Sequence, residues 1–192
     1  MVSGRNKNFA FTVIAGSLKG RKIIAPDLGI TRPPLTRLRK AIFDFLMPYL
    51  PRAHYLDLFS GSGSYLFEAV SRGISQAIGV EHDKQLVKAI NDQAEKFQVA
   101  DKLHCLEGDV FKVIPQLARQ GKAFDIIMIA PPQYMGFVDK TLNSLKDHDI
   151  LSKTSLIICQ HDTSETKKID FSGFSVNQHR KYGNTTFTIL KS

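Results

Sequence analysis

The chain has 192 residues, 43% hydrophobic and 23% charged, which suits one buried core and excludes a disordered or low-complexity protein. No apolar run approaches the roughly 20 residues of a membrane span, and the longest runs, such as Ile126 to Pro132, are strand-sized. The formal net charge of +8 lies wholly in residues 1–52, where ten Lys or Arg face only Asp27 and Asp44, while the other 140 residues balance sixteen against sixteen.

In chain order, the polar and basic start (Met1 to Asn8) has no apolar segment behind it, so no secretory leader is expected. Phe9–Ala15 and Arg21–Ala25 read as two strands around Gly16-Ser-Leu-Lys-Gly20, a hairpin signal. Pro26 and Pro33-Pro34 break regular structure. From Thr36, the residues Leu38, Ala41, Ile42, Phe45, Leu46 and Tyr49 recur at helical spacing, with Arg37, Arg39 and Lys40 assigned to the opposite face. From residue 54 the pattern alternates strand and helix. Strands are expected at 55–59, 77–81, 103–106, 124–129 and 156–159, with helices near 64–72, 86–97, 110–119 and 138–146. Two further strands, 174–178 and 185–190, have no helical pattern between them and should close the sheet as an antiparallel hairpin. Such alternation predicts an α/β protein with a mostly parallel sheet and helices on both faces. The expected division is a basic hairpin extension (1–30), a basic segment and helix (31–53) and a Rossmann-like core (54–192), all in a single domain. Cys105 and Cys159 sit in strand-like segments and read as buried free thiols of a cytoplasmic protein.

Asp57-Leu-Phe-Ser-Gly61-Ser-Gly63 ends the first strand of the alternating region and opens a helix, so backbone can pass close to a ligand beside free N–H groups. Position 66 is Leu, so the third glycine of a dinucleotide fingerprint is missing. The next strand ends in Glu81, where a carboxylate can accept both hydroxyls of a ribose. The third is followed by Asp109, which could accept from an adenine amino group or could cap the helix beginning at Val110. Together the three strand ends describe an adenosine pocket. His82 and His161 have no metal-ligand spacing, and no metal is expected. A charge excess confined to one end of the chain points to a polyanion, and nucleic acid is the expected partner.

These residues resemble class I S-adenosylmethionine (SAM)-dependent methyltransferases, in which Asp57, Gly61, Gly63, Glu81 and Asp109 match the cofactor motifs. Phe59, His82, Val110 and Ala130 adjoin them and are expected to contact the cofactor as well. The resemblance extends to the RsmD-like 16S ribosomal RNA guanine-N2 methyltransferases: Val13-Ile-Ala-Gly-Ser-Leu-Lys-Gly-Arg21 looks like their hairpin. Thr31-Arg-Pro33 with Arg37-Leu-Arg39-Lys-Ala-Ile-Phe43 and Tyr182-Gly-Asn-Thr185 look like two further family segments. The resemblance implies a seven-stranded Rossmann-like fold, SAM as cofactor, and 16S rRNA or the 30S subunit as partner of a monomeric cytoplasmic enzyme. Lys19, Arg21, Lys22, Arg32, Arg37 and Arg39 are the expected RNA contacts.

One position departs. After the fourth strand the family carries Asp or Asn, then Pro-Pro and an aromatic residue; here the run is Ala130-Pro131-Pro132-Gln133-Tyr134. An exocyclic amine conjugated to a ring is a poor nucleophile, so acceptors must hold it with its lone pair aimed at the methyl group. Ala130 cannot accept through its side chain. The expected catalytic set is therefore Pro131 (by its carbonyl), Pro132, Gln133 (by its amide) and Tyr134 (by stacking on an extruded base). A catalytically degenerate SAM- or RNA-binding module, and a methyltransferase for adenine N6 in DNA or a protein amine, are the competing readings.

Overall fold

The computed structural model describes residues 8–28 and 36–192; Thr31–Pro33, and Arg32 with them, lie outside the described residues. Strands β1 (Asn8–Thr12) and β2 (Lys22–Pro26) pair antiparallel as a separate two-stranded sheet. Helix α1 (Thr36–Leu46) leads into the alternating region: β3 (His54–Asp57), α2 (Ser64–Ser71), β4 (Gln76–Glu81), α3 (Lys84–Lys96), β5 (Leu103–Glu107), α4 (Val110–Arg119), β6 (Phe124–Ile129) and α5 (Phe137–Asp147). Strands β7 (Leu151–Asp162), β8 (Ser175–Tyr182) and β9 (Thr185–Lys191) follow. The large sheet has the order β5-β4-β3-β6-β7-β9-β8, parallel from β5 to β7 and antiparallel where β9 joins β7 and β8.

Both sheet faces are covered, which is why the central strands read as unbroken apolar runs. One face, including Tyr55, Ile126, Met128 and Ile158, packs against α1, α2, α3 and the hairpin residues Phe11, Val13, Leu18 and Ile23. The other, including Leu56, Ile127, Ile129 and Ile157, packs against α4, α5 and the irregular segment carrying Ile169, Phe171 and Phe174. Cys105 and Cys159 are buried free thiols.

The first hairpin strand is shorter than expected, ending at Thr12, because the link leaves the ladder for α2. Ile14 N–H donates to Glu68 Oε2 (2.9 Å), Ser17 N–H to the Ser71 carbonyl (2.7 Å), and Leu18 N–H to Ser71 Oγ (2.9 Å). On the other side the Gln93 side chain of α3 accepts from Ile24 N–H at 2.7 Å and donates back to the Ile24 carbonyl at 2.5 Å, occupying the free edge of β2.

Arg39 is corrected outright. Expected at an RNA-facing position, it is 1% exposed, because it falls on the inward stripe of α1 with Leu38, Ile42, Phe43 and Leu46. Its guanidinium pairs with buried Glu68 (Nε to Oε2, 3.5 Å), donates to the Thr12 carbonyl (2.5 Å) and lies 5.1 Å from the Phe11 ring centre. Burial lowers its pKa from the ordinary guanidinium value, and Glu68 opposes that shift. Arg72 completes the network, donating to Glu68 (2.8 Å) and Asp44 (3.0 Å). Arg39 fastens β1 to α1 and α2.

Candidate active site

The parallel register brings the strand ends together. Asp57 lies level with Gly79 and Met128, two residues short of the end of β4 and one short of the end of β6, and Glu81 lies level with Glu107 at the end of β5. The chain after β3 is stitched to both neighbours, since Leu58 N–H donates to the Met128 carbonyl and Ser60 N–H to the Val80 carbonyl, each at 3.0 Å. Gly61 (φ +51°) and Gly63 (φ +76°) then take left-handed conformations that side chains resist. A Cβ on Gly63 would stand 2.9 Å from Ile90 Cγ1, so the loop-to-helix turn needs glycine for packing as well.

Glu81 organises this loop. Its Oε2 accepts from Gly61 N–H at 2.8 Å, and its Oε1 accepts from His82 N–H (2.8 Å) and Asp83 N–H (2.9 Å). The exposed His82 ring turns back to the same oxygen, with Nδ1 2.9 Å away. Oε2 keeps a lone pair for a hydroxyl. Asp109 is exposed and caps α4, accepting from Phe111 N–H at 2.9 Å, so the capping alternative is realised while its second oxygen stays available. Val110 is buried in the first turn of α4, and half-buried Phe59 stacks on Phe137 at 6.0 Å between ring centres.

Asp57 is wholly buried, with Oδ1 3.4 Å from Phe59 N–H and Oδ2 without a hydrogen-bond partner among the described residues. An orphaned buried carboxylate oxygen is costly unless something cationic meets it. The methionyl ammonium of SAM is such a group, so the residues present fit that cofactor. Burial raises the Asp57 carboxyl to about 7, slightly opposed by the Phe59 N–H and reinforced by Glu81. The native state therefore holds a proton that the unfolded chain has released. This stability contribution is complete below about pH 4 and is lost progressively, by roughly 1.4 kcal/mol per unit, as pH rises to about 7. Urea unfolding of the ligand-free protein should show Asp57→Asn gaining on wild type between pH 5 and pH 8. A difference independent of pH would show that Asp57 is already ionised.

On the neighbouring strand, Ala130 follows β6 directly and packs against the core on the α1–α3 side. Pro131 is buried, whereas Pro132, Gln133 and Tyr134 are exposed. Tyr134 takes a left-handed conformation (φ +63°), unusual for a non-glycine residue, and its side chain stands 68% exposed. The nearby Asp162 carboxylate raises the pKa of its phenol. Pro131 to Tyr134 line a cavity of about 260 Å³ whose far wall is Gln160 and His161 at the end of β7 with Glu165 and Lys168 beyond it. The motif pattern missed that wall. It lies some thirty residues downstream, largely in an irregular segment whose sequence carries no periodicity. Of the expected RNA contacts, Lys19, Arg21, Lys22 and Arg37 are exposed, Arg21 lying 5.4 Å from the Phe97 ring centre.

A protein-family model described as Conserved hypothetical protein 95 matches residues 11–191. The chain is 28% identical over 184 residues to ribosomal RNA small subunit methyltransferase D of Escherichia coli (strain K12), covering 93% of this chain and 88% of the relative. It is 28% identical over 167 residues to the protein of the same name from Buchnera aphidicola subsp. Acyrthosiphon pisum, covering 83% and 82%. Among solved structures, a hypothetical protein of Thermus thermophilus superposes with a TM-score of 0.80 at 26% identity, covering 95% of this chain and 99% of the other.

Proposed function

The chain belongs to the Conserved hypothetical protein 95 family, and from that membership and the site we propose that it is a SAM-dependent methyltransferase acting on guanine N2 of 16S rRNA in the cytoplasm. The observation that carries the reading is the buried, orphaned Asp57 carboxylate beside the Glu81-anchored glycine turn, with the Pro131–Tyr134 loop on the neighbouring strand end. The two relatives' names support the choice of substrate.

SAM, when bound, supplies a methyl group made electrophilic by its sulfonium. Asp57 would meet its ammonium, Glu81 its ribose and Asp109 its adenine amino group, with Gly61 and Gly63 allowing close approach. Phe59, His82, Val110 and Ala130 would border that space. The Pro131 carbonyl and the Gln133 amide would orient the target amine, and the exposed Tyr134 ring gives an extruded base a surface to stack on. Lys19, Arg21, Lys22 and Arg37 would hold phosphates, and Arg32 is assigned the same role from its place in the sequence.

The test is transfer of a tritiated methyl group from SAM to undermethylated 30S particles, deproteinised 16S rRNA and DNA. Label should enter 16S rRNA at guanine N2. Label in DNA alone would overturn the substrate. SAM binding without transfer to any of the three would establish a degenerate module, the outcome that Ala130 makes worth measuring. In the same preparation, reversing the charges of Lys19, Arg21 and Lys22 together should weaken RNA binding at least tenfold, leave SAM affinity unchanged and flatten the salt dependence. RNA binding insensitive to salt would remove the basic end from the interface.

A further inference from the structure

We propose that Glu165 supplies the carboxylate that Ala130 lacks, and that it recognises the 2-amino edge of the target guanine. This rests on the guanine reading above. Glu165 follows β7, about thirty residues beyond the Pro-Pro loop, yet its Oε1 accepts from the backbone N–H of Tyr134 at 3.1 Å. That bond ties the carboxylate to the loop expected to hold the base. Its Oε2 has no hydrogen-bond partner among the described residues. Glu165 is half-buried on the wall of the 260 Å³ cavity that Pro131, Gln133 and Tyr134 form on the other side.

Glu165 is the carboxylate of this lining that the Tyr134 backbone itself holds, whereas Asp139 and Gln160 are turned to other segments. Asp139 Oδ1 accepts from Asp170 N–H (2.7 Å), and Gln160 Oε1 accepts from the Tyr65 hydroxyl (2.5 Å). Guanine presents two adjacent donors, N1–H and the 2-amino group, next to the O6 acceptor. A carboxylate oxygen matches the donors, and Lys168 on the same cavity wall supplies a donor for O6. A loop with Asp or Asn at position 130 would bring an acceptor from β6. Here it arrives from the far wall, held in place by the loop backbone.

The test is NMR titration of the full chain with guanosine 5′-monophosphate and inosine 5′-monophosphate, which differ only in the 2-amino group. Wild type should bind the guanine nucleotide about tenfold more tightly, since a site built around a donor rejects an analogue lacking it. Glu165→Gln keeps an oxygen for Tyr134 N–H but turns an amide NH2 toward the guanine donors, so the preference should fall to near unity. Equal binding of the two nucleotides by wild type, no binding of either, or an undiminished preference in Glu165→Gln would each overturn the assignment. The methyl-transfer assay separates this from the broader reading. If wild type methylates 16S rRNA while Glu165→Gln keeps full preference, Glu165 alone is wrong. If wild type transfers nothing to rRNA, the methyltransferase reading fails whatever the nucleotides do.

Discussion

Glu68→Ala should destabilise the protein by about 3–5 kcal/mol, read from the urea midpoint at constant slope. Removing this carboxylate leaves Arg39, 1% exposed, and Arg72, whose side chain is 4% exposed, without their shared counter-charge. It also strips the acceptor from Ile14 N–H. Water can replace a lost partner at the surface but not here, and an uncompensated buried guanidinium is among the costlier defects a core can carry. Lys40→Ala provides the contrast. Lys40 pairs with Asp44 one turn away on the exposed side of α1, so its loss should cost no more than a few tenths of a kcal/mol. Because Glu68 holds the hairpin, Glu68→Ala should also lower RNA affinity although the residue faces no solvent. A loss within 1 kcal/mol of wild type would mean that the hairpin shifts to hydrate Arg39, and that the network does not fix it.

Glu81→Ala should weaken SAM binding by roughly 10- to 150-fold, equivalent to about 1.5–3 kcal/mol for a lost charged acceptor. Titration calorimetry with S-adenosylhomocysteine gives the number. Since Glu81 also receives Gly61, His82 and Asp83 N–H groups, part of any loss could come from a loosened loop. The 2′-deoxy analogue separates the two causes. Wild type should prefer the ribose form, and Glu81→Ala should bind the two forms alike. Equal affinity of wild type and variant for the ribose form would end the ribose assignment. A variant that is weak yet still prefers ribose would reassign Glu81 to the loop alone.

The sequence by itself determined the sheet-and-helix alternation, the closing hairpin and the glycine turn at the strand ends. Those features rest on local patterns. Apolar runs such as Ile126–Ile129 mark strands covered on both faces, glycines at 61 and 63 mark a turn that side chains resist, and an acid at the end of β4 follows from the strand boundary alone. The capping role of Asp109 was legible in the same way, as an acid just before an apolar helix.

The tertiary structure decided which charges face water. Arg39 reads as part of a basic face, although its spacing from Ile42 and Phe43 places it on the inward stripe. Only the nearness of Glu68, 29 positions away, makes burying it tolerable. A long-range ion pair leaves no periodic trace in either segment. Glu165 is the same case at the cavity beside the Pro-Pro loop. It lies in a stretch without helical or strand pattern, and the end of β7 with the turn of the Tyr134 backbone brings it to the loop. The burial of Asp57 likewise comes from the strands on either side of β3, and that enclosure, with no local motif behind it, lifts its carboxyl to about 7.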